Sequence, residues 1–198
     1  MNLVERVKNI LLQPKQEWPV IAGENITTAD LYKSYIAPLA AIPALAGFIG
    51  LSLVGISLPF LGGVYRVPIG SGLTYAIINF LLTLGAVYLL ALIVNALAPT
   101  FGGEKDMRQA LKLIAYSSTA SWLAGIFAIV PQLSILTLLG LYSLYLLYLG
   151  LPLLMKCPVE KAVGYTIMLV ISAIGIFMVV GFISSTFISH PAPNLLVQ

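Results

Sequence analysis

This chain is poor in the groups that do chemistry. Among its 198 residues there is one cysteine, Cys157, and one histidine, His190. A lone cysteine excludes an internal disulfide and a thiolate metal cluster, and a histidine beside Pro191 in a short tail reads as solvated. Only 9% of residues are charged while 60% are hydrophobic, far from the quarter charged that a soluble domain carries. No HExxH motif, GxSxG elbow or aspartate pair is present. The expected catalytic, cofactor-binding and metal residues are therefore none, and the chain reads as a non-enzyme.

The apolar residues gather into five runs: Tyr35 to Leu58, Leu73 to Leu97, Leu111 to Val130, Leu133 to Leu154 and Val163 to Ile183. At about 1.5 Å per residue each can cross a hydrocarbon layer of about 30 Å. The expected fold is all-α, an integral membrane bundle of five transmembrane helices with a short N-terminal amphipathic helix. Within the runs the only charge is Lys112, just inside an end. Pumps and ion-coupled carriers keep ionisable groups at mid-depth, so this emptiness argues against them. Four Lys and Arg precede the first run (Arg6, Lys8, Lys15, Lys33), three surround the second connection (Lys105, Arg108, Lys112) and two lie in the fourth (Lys156, Lys161), against Arg66 alone on the other side. Nine against one places the N-terminus in the cytoplasm and, after five crossings, the C-terminus outside. This divides the chain into a cytoplasmic helix and polar linker (1–33), the membrane domain (34–188) and an external tail (189–198). The dispersed basic residues, interleaved with acids, give no nucleic-acid signal; the lipid bilayer is the expected partner.

Met1 to Gln13 has no apolar core of signal-peptide length. Leu3, Val4, Val7, Ile10 and Leu11 share one helical face, with Glu5, Arg6, Lys8 and Asn9 on the other and Pro14 as a stop. Such a helix either lies in the headgroup plane or docks on the cytoplasmic end of the bundle. Trp18, before Pro19, reads as an interfacial anchor. Cys157 beside Lys156 suits either a packing thiol or a lipidation site. Pro59 to Gly72 is glycine-rich and reads as an outer loop, and Asp106 with Gln109 fits a capping box opening the third helix. Only Pro131 and Gln132 separate the third and fourth runs, which predicts an antiparallel hairpin.

Small and neutral polar residues recur inside the runs. Ser117, Ser121 and Gly125 repeat every four residues among alanines, a close-packing ridge for helices in lipid. Tyr142, Tyr145 and Tyr148 follow on the fourth run. Folding the hairpin at Pro131 puts Ser121 level with Tyr142, and Ser117 and Ser118 level with Tyr145 and Tyr148, so an interhelical hydrogen-bond seam is expected. Asn79 and Thr83, four apart, point the same way. The same residues, Asn79, Thr83, Ser117, Ser121, Tyr142, Tyr145 and Tyr148, could instead line a solute path. Pro38, Pro43, Gly47 and Gly50 allow a kink in the first helix.

From Tyr116 to Tyr165, through YSSTASWLAGIFAIVP and LLGLYSLYLLYLGLPLLMKCPVEKAVGY, the chain resembles the bacterial branch of the Yip family of Ypt/Rab-interacting proteins. The FGG turn at Phe101 to Gly103 and DLYKSYIAP at Asp30 to Pro38 extend the resemblance. It implies five spans, a cytoplasmic N-terminus and a bacterial inner membrane. Eukaryotic members resemble trafficking factors with a long cytosolic N-terminal region; here about thirty residues precede the first run, so Rab binding does not carry over. Asp30, Leu31 and Tyr32 carry over as a candidate partner-contact site. The expected function is a non-enzymatic membrane protein that organises membrane or partner proteins, with a protein partner at the cytoplasmic face and homo-oligomers both open. A passive channel or carrier for a small neutral or weakly polar solute is the alternative.

Overall fold

The computed structural model describes residues 2–58 and 63–187. Met1, the connection 59–62 and residues from 188 on, hence His190 and the tail Ser189–Gln198, lie outside the described residues. Two short helices open the chain, α1 (Leu3–Leu12) and α2 (Pro14–Gly23). The Asn2 side chain caps α1, and Pro14 starts α2 where a missing N–H costs nothing.

The first long helix is a composite. It runs from α3 (Thr28–Leu31) through a π-helical turn, Tyr32–Ile36, into α4 (Ala37–Phe48) and a second π-helical stretch, Ile49–Val54. Pro38 and Pro43 each remove an N–H from the ladder, and the π-turns flank the segment so disturbed. The hydroxyl of Thr27 caps α3 by accepting from the Asp30 N–H at 3.1 Å. A two-stranded ribbon, β1 (Ile56–Leu58) antiparallel to β2 (Gly63–Tyr65) with Ser57 opposite Val64, lies in the first connection.

α5 (Ile69–Leu97) is an unbroken helix of 29 residues that ends in a 3-10 turn, Ala98–Phe101. The FGG turn follows. Gly102 has φ +74°, and a Cβ on Gly103 would lie 2.5 Å from the Met155 carbonyl, so the turn demands both glycines. Phe101 stacks on Tyr165 at 4.6 Å, and the Tyr165 hydroxyl donates to the Val94 carbonyl, which joins this turn to the last helix.

The third run departs from expectation. It is not one helix but α6 (Met107–Ser117), α7 (Thr119–Ala124) and a 3-10 turn, Gly125–Ile129. Three consecutive hydroxyls mark the break: Ser117 and Ser118 both donate to the Ile114 carbonyl, which also accepts from the Ser118 N–H, and Thr119 donates to Tyr116, a back-bonding that bends a helix. As expected, Asp106 caps α6 through the Arg108 and Gln109 N–H groups, but the Gln109 side chain turns elsewhere. Beyond Val130 a 3-10 helix, Pro131–Leu141, returns antiparallel and passes into α8 (Tyr142–Leu154). α9 (Val159–Ser185) closes the described fold.

Among the described residues, four helical stretches are long and apolar enough to cross a membrane: Thr28–Val54, Ile69–Phe101, Pro131–Leu154 and Val159–Ser185. α6 lies between α5 and α8 and is buried along its inner length, from Ala110 to Ser117.

Candidate functional site: a charge cluster beneath the N-terminal hairpin

α1 and α2 fold on each other and dock on the bundle, α2 against α8 and α1 against α7. Arg6, expected on the polar face of an amphipathic helix, is 3% exposed. The reason is its partners. Its guanidinium donates to Glu17 and to Glu24, and it lies 5.7 Å over the ring of Tyr116. Glu17 lies on α2, while Glu24 is its C-cap residue in extended conformation, and the two carboxylates meet one cation from the helix face and from the chain leaving it. Burial of this ionic group is sustained only because each charge is paired.

Lys112 is also 3% exposed, and it does a different job. Its ammonium donates to the carbonyls of Ile21 at 2.7 Å and Glu24 at 2.8 Å, while Gln109 Nε2 donates to Ala22 at 3.0 Å. α2 ends at Gly23, so these are carbonyls at a helix C-terminus, where a cation is favoured. At the other end, the Tyr142 hydroxyl donates at 3.0 Å to Leu11, in the last turn of α1. Both helices of the hairpin thus have C-terminal carbonyls held by side chains of the bundle.

Aromatic packing fills the space between. Trp18, expected at a wet interface, is instead fully buried with no hydrogen-bond partner for Nε1. It meets Tyr116 edge-on at 6.5 Å and lies over Gly150, where a Cβ would come within 2.8 Å of the indole. Tyr116 in turn packs at 4.5 Å on Tyr35, whose hydroxyl pairs with Thr119 at 2.7 Å. The N-terminal helix packs on the bundle, along α7 with α2 along α8, and not across the bundle's end.

The residues singled out from sequence are scattered over several places. Asp30 is exposed, Tyr32 is half-buried and donates to the Leu84 carbonyl at 2.9 Å, and Leu31 is buried in the core. Asn79 donates to Ser184 of α9 at 3.3 Å, with Thr83 half-buried one turn on. Ser121 pairs with Ser143 at 2.9 Å and with the Gly140 carbonyl at 3.0 Å. Ser121 is thus level with Tyr142 and hydrogen-bonds across the hairpin, but to Ser143 and Gly140 on either side; the Tyr142 hydroxyl goes to Leu11 instead. Ser117 and Ser118 bond within their own helix, so they do not reach Tyr145 or Tyr148. Tyr142 and Tyr145 stack 5.4 Å apart and are partly exposed, while Tyr148 is half-buried. These side chains belong to separate helix pairs and do not form one lining.

The cluster of Arg6, Glu17, Glu24 and Lys112 was not among those residues. One signal pointed to it, the single lysine within an apolar run, Lys112. Among the described residues no group of His, Cys, Asp and Glu could hold a metal ion. Outside the spans, burial pushes the Cys157 thiol above its ordinary value, and the exposed Lys156 ammonium is raised by its hydrogen bond to Glu104 at 2.6 Å.

A Yip1 domain family model matches residues 8–182. The inner membrane protein YohC of Escherichia coli K12 is 24% identical over 167 residues, covering 82% of this chain and 85% of that protein, and the YohC of Escherichia coli O6:H1 matches to the same extent. No solved structure matches.

Proposed function

The chain belongs to the Yip1 domain family, and on that premise we propose a non-enzymatic protein of the bacterial inner membrane that organises membrane or partner proteins through its cytoplasmic face. It crosses five times, with its N-terminus in the cytoplasm and its C-terminus outside. Four crossings are the long helices; the fifth is the broken segment Met107–Ile129, whose α6, α7 and 3-10 parts together reach about 35 Å. The nine-to-one bias of Lys and Arg supports this orientation.

The observation that carries the reading is the docked hairpin. A buried ion cluster and two capped helix ends hold α1 and α2 in one position, which makes a fixed surface for a partner out of short helices that would be marginal alone. Asp30 borders that surface across a cavity it shares with Leu3 and Glu24, with Leu31 in the core behind it and Tyr32 tied to α5. Proximity labelling in the native cell, with the labelling enzyme on the N-terminus, tests it. A reproducible set of neighbours should be lost in Asp30→Lys and labelled less strongly in Arg6→Met, whose hairpin opens more often, while membrane insertion persists. An unchanged set in both variants would overturn the proposal. Impermeant thiol labelling of Gly63→Cys but not Gly103→Cys, in a Cys157→Ser background, tests the orientation; the reverse pattern would refute it.

A further inference from the structure

The hairpin lies along the bundle, not across its end. Tyr142, which holds the Leu11 carbonyl, is the first residue of α8, twelve residues before its last, Leu154. At the α-helical rise the tip of the hairpin therefore reaches about 18 Å below the cytoplasmic end of α8. Around that tip the outward side chains are Gln13, Lys15 and Gln16 together with the apolar Leu12; Glu5 and Lys8 are exposed further up α1, beside Val4. Charged side chains of this kind do not rest in hydrocarbon. On this wall the apolar layer can begin only beyond the tip. From there to Val130 the wall is the 3-10 helix Pro131–Leu141, eleven residues or about 22 Å, with Leu133, Ile135, Leu138 and Leu139 exposed.

The other wall is much taller. α9 exposes Val159, Ile167, Ile171, Phe182 and Ile183 along its length, about 36 Å of apolar surface, and its neighbour α5 does the same from Ile69 to Leu92. A bilayer core is about 30 Å thick, so one wall falls short of it and the other exceeds it. Tilting the bundle leaves unequal heights unequal. The lipid has to deform instead.

We propose that this protein thins the cytoplasmic leaflet beside the hairpin, drawing lipid headgroups down to Lys8 and Lys15. The partner at this surface is the lipid itself, and the two exposed lysines favour anionic headgroups. The inference deepens the proposed role in organising membrane and rests on the polytopic reading with a cytoplasmic hairpin.

The test uses the full chain in vesicles of phosphatidylethanolamine and phosphatidylglycerol, with Cys157→Ser as background. Lys15→Cys and Ile171→Cys lie at matching heights, each about 18 Å from the cytoplasmic ends of α8 and α9. Each is labelled with a polarity-sensitive fluorophore and quenched with iodide from the cytoplasmic side. Quenching at Lys15→Cys should be several-fold stronger than at Ile171→Cys. A bis-maleimide should also join Leu11→Cys to Tyr142→Cys, showing the hairpin docked in the same vesicles. Equal shielding at both labels overturns the proposal, as does equal quenching, which means the bundle merely sits high. Strong quenching at Lys15→Cys without the crosslink overturns it too, since the hairpin has then lifted away. The vesicles hold no protein partner, so failure here leaves the partner-organising reading intact, and failed proximity labelling leaves the thinning intact.

Discussion

Replacing Arg6 by methionine removes the one cation between Glu17 and Glu24 and keeps most of the side-chain volume. Leaving one partner of a buried pair unmatched costs about 3–5 kcal/mol. The lower end applies here, because the Glu24 side chain is 31% exposed and can rehydrate in place, whereas Glu17 at 11% cannot. Undocking of the hairpin would rehydrate both. The loss therefore appears as opening of α1 and α2, not as unfolding of the bundle, and it cannot exceed the docking energy. Three fully buried side chains, Ile10, Trp18 and Ile21, hold the hairpin down, each worth about 1.5–3 kcal/mol against exposure. The docked state should survive in Arg6→Met but open far more often. A loss of about 3 kcal/mol corresponds to roughly a hundredfold rise in the open population. Hydrogen exchange in nanodiscs reads this directly: amides of α1 and α2 should exchange about a hundred times faster, with those of α5 and α9 unchanged. Adding Glu17→Leu and Glu24→Gln should restore protection, because an apolar replacement of the whole cluster leaves no stranded charge. Unchanged exchange in α1 and α2, or equal acceleration in every helix, would refute the reasoning.

Gly150→Ala would set a methyl 2.8 Å from the Trp18 ring and 2.6 Å from Leu113 Cδ1, so about 1–3 kcal/mol of overpacking is expected; in a Trp122→Phe background the Trp18 emission should shift to the red. Ser121→Leu should lower detergent stability by a similar amount, since a Cβ on Gly140 would lie only 3.0 Å from the Ser121 Cα, whereas Tyr145→Phe, on a 41% exposed side chain, should stay within about 0.5 kcal/mol; thermal midpoints compare the two. Cys157 should alkylate more slowly than it does in unfolded chain at every pH between 7 and 9, because burial raises its pKa and keeps the thiolate scarce. By linkage, the folded state holds this proton more tightly, so the stabilisation is complete below the ordinary thiol value and is lost as pH rises through the raised one. Equal alkylation rates for folded and unfolded protein would remove the argument.

What composition and patterning determined by themselves are the features that follow from solvent: a helical membrane protein, its long apolar segments, the cap at Asp106, and the glycines of the FGG turn. Each depends on local backbone chemistry or on the thickness of a bilayer, and both are legible in a single stretch of residues. Tertiary structure alone decided where the charges went. Arg6 belongs to the polar face of an isolated α1, and only the approach of Glu17, Glu24 and Tyr116 makes its burial tolerable. Lys112 marks a helix end in sequence, yet its ammonium closes the C-terminus of a helix about ninety residues away. The same holds for the serines and tyrosines of the hairpin. Ser121 is level with Tyr142, as the chain fold about Pro131 implies, but its partners are Gly140 and Ser143 on either side, because the helix turns those residues and not the Tyr142 hydroxyl toward it. Periodicity reports which residues share a face. Which faces meet, and at what height, depends on partners distant in sequence and on breaks such as Ser117 to Thr119 that only packing resolves.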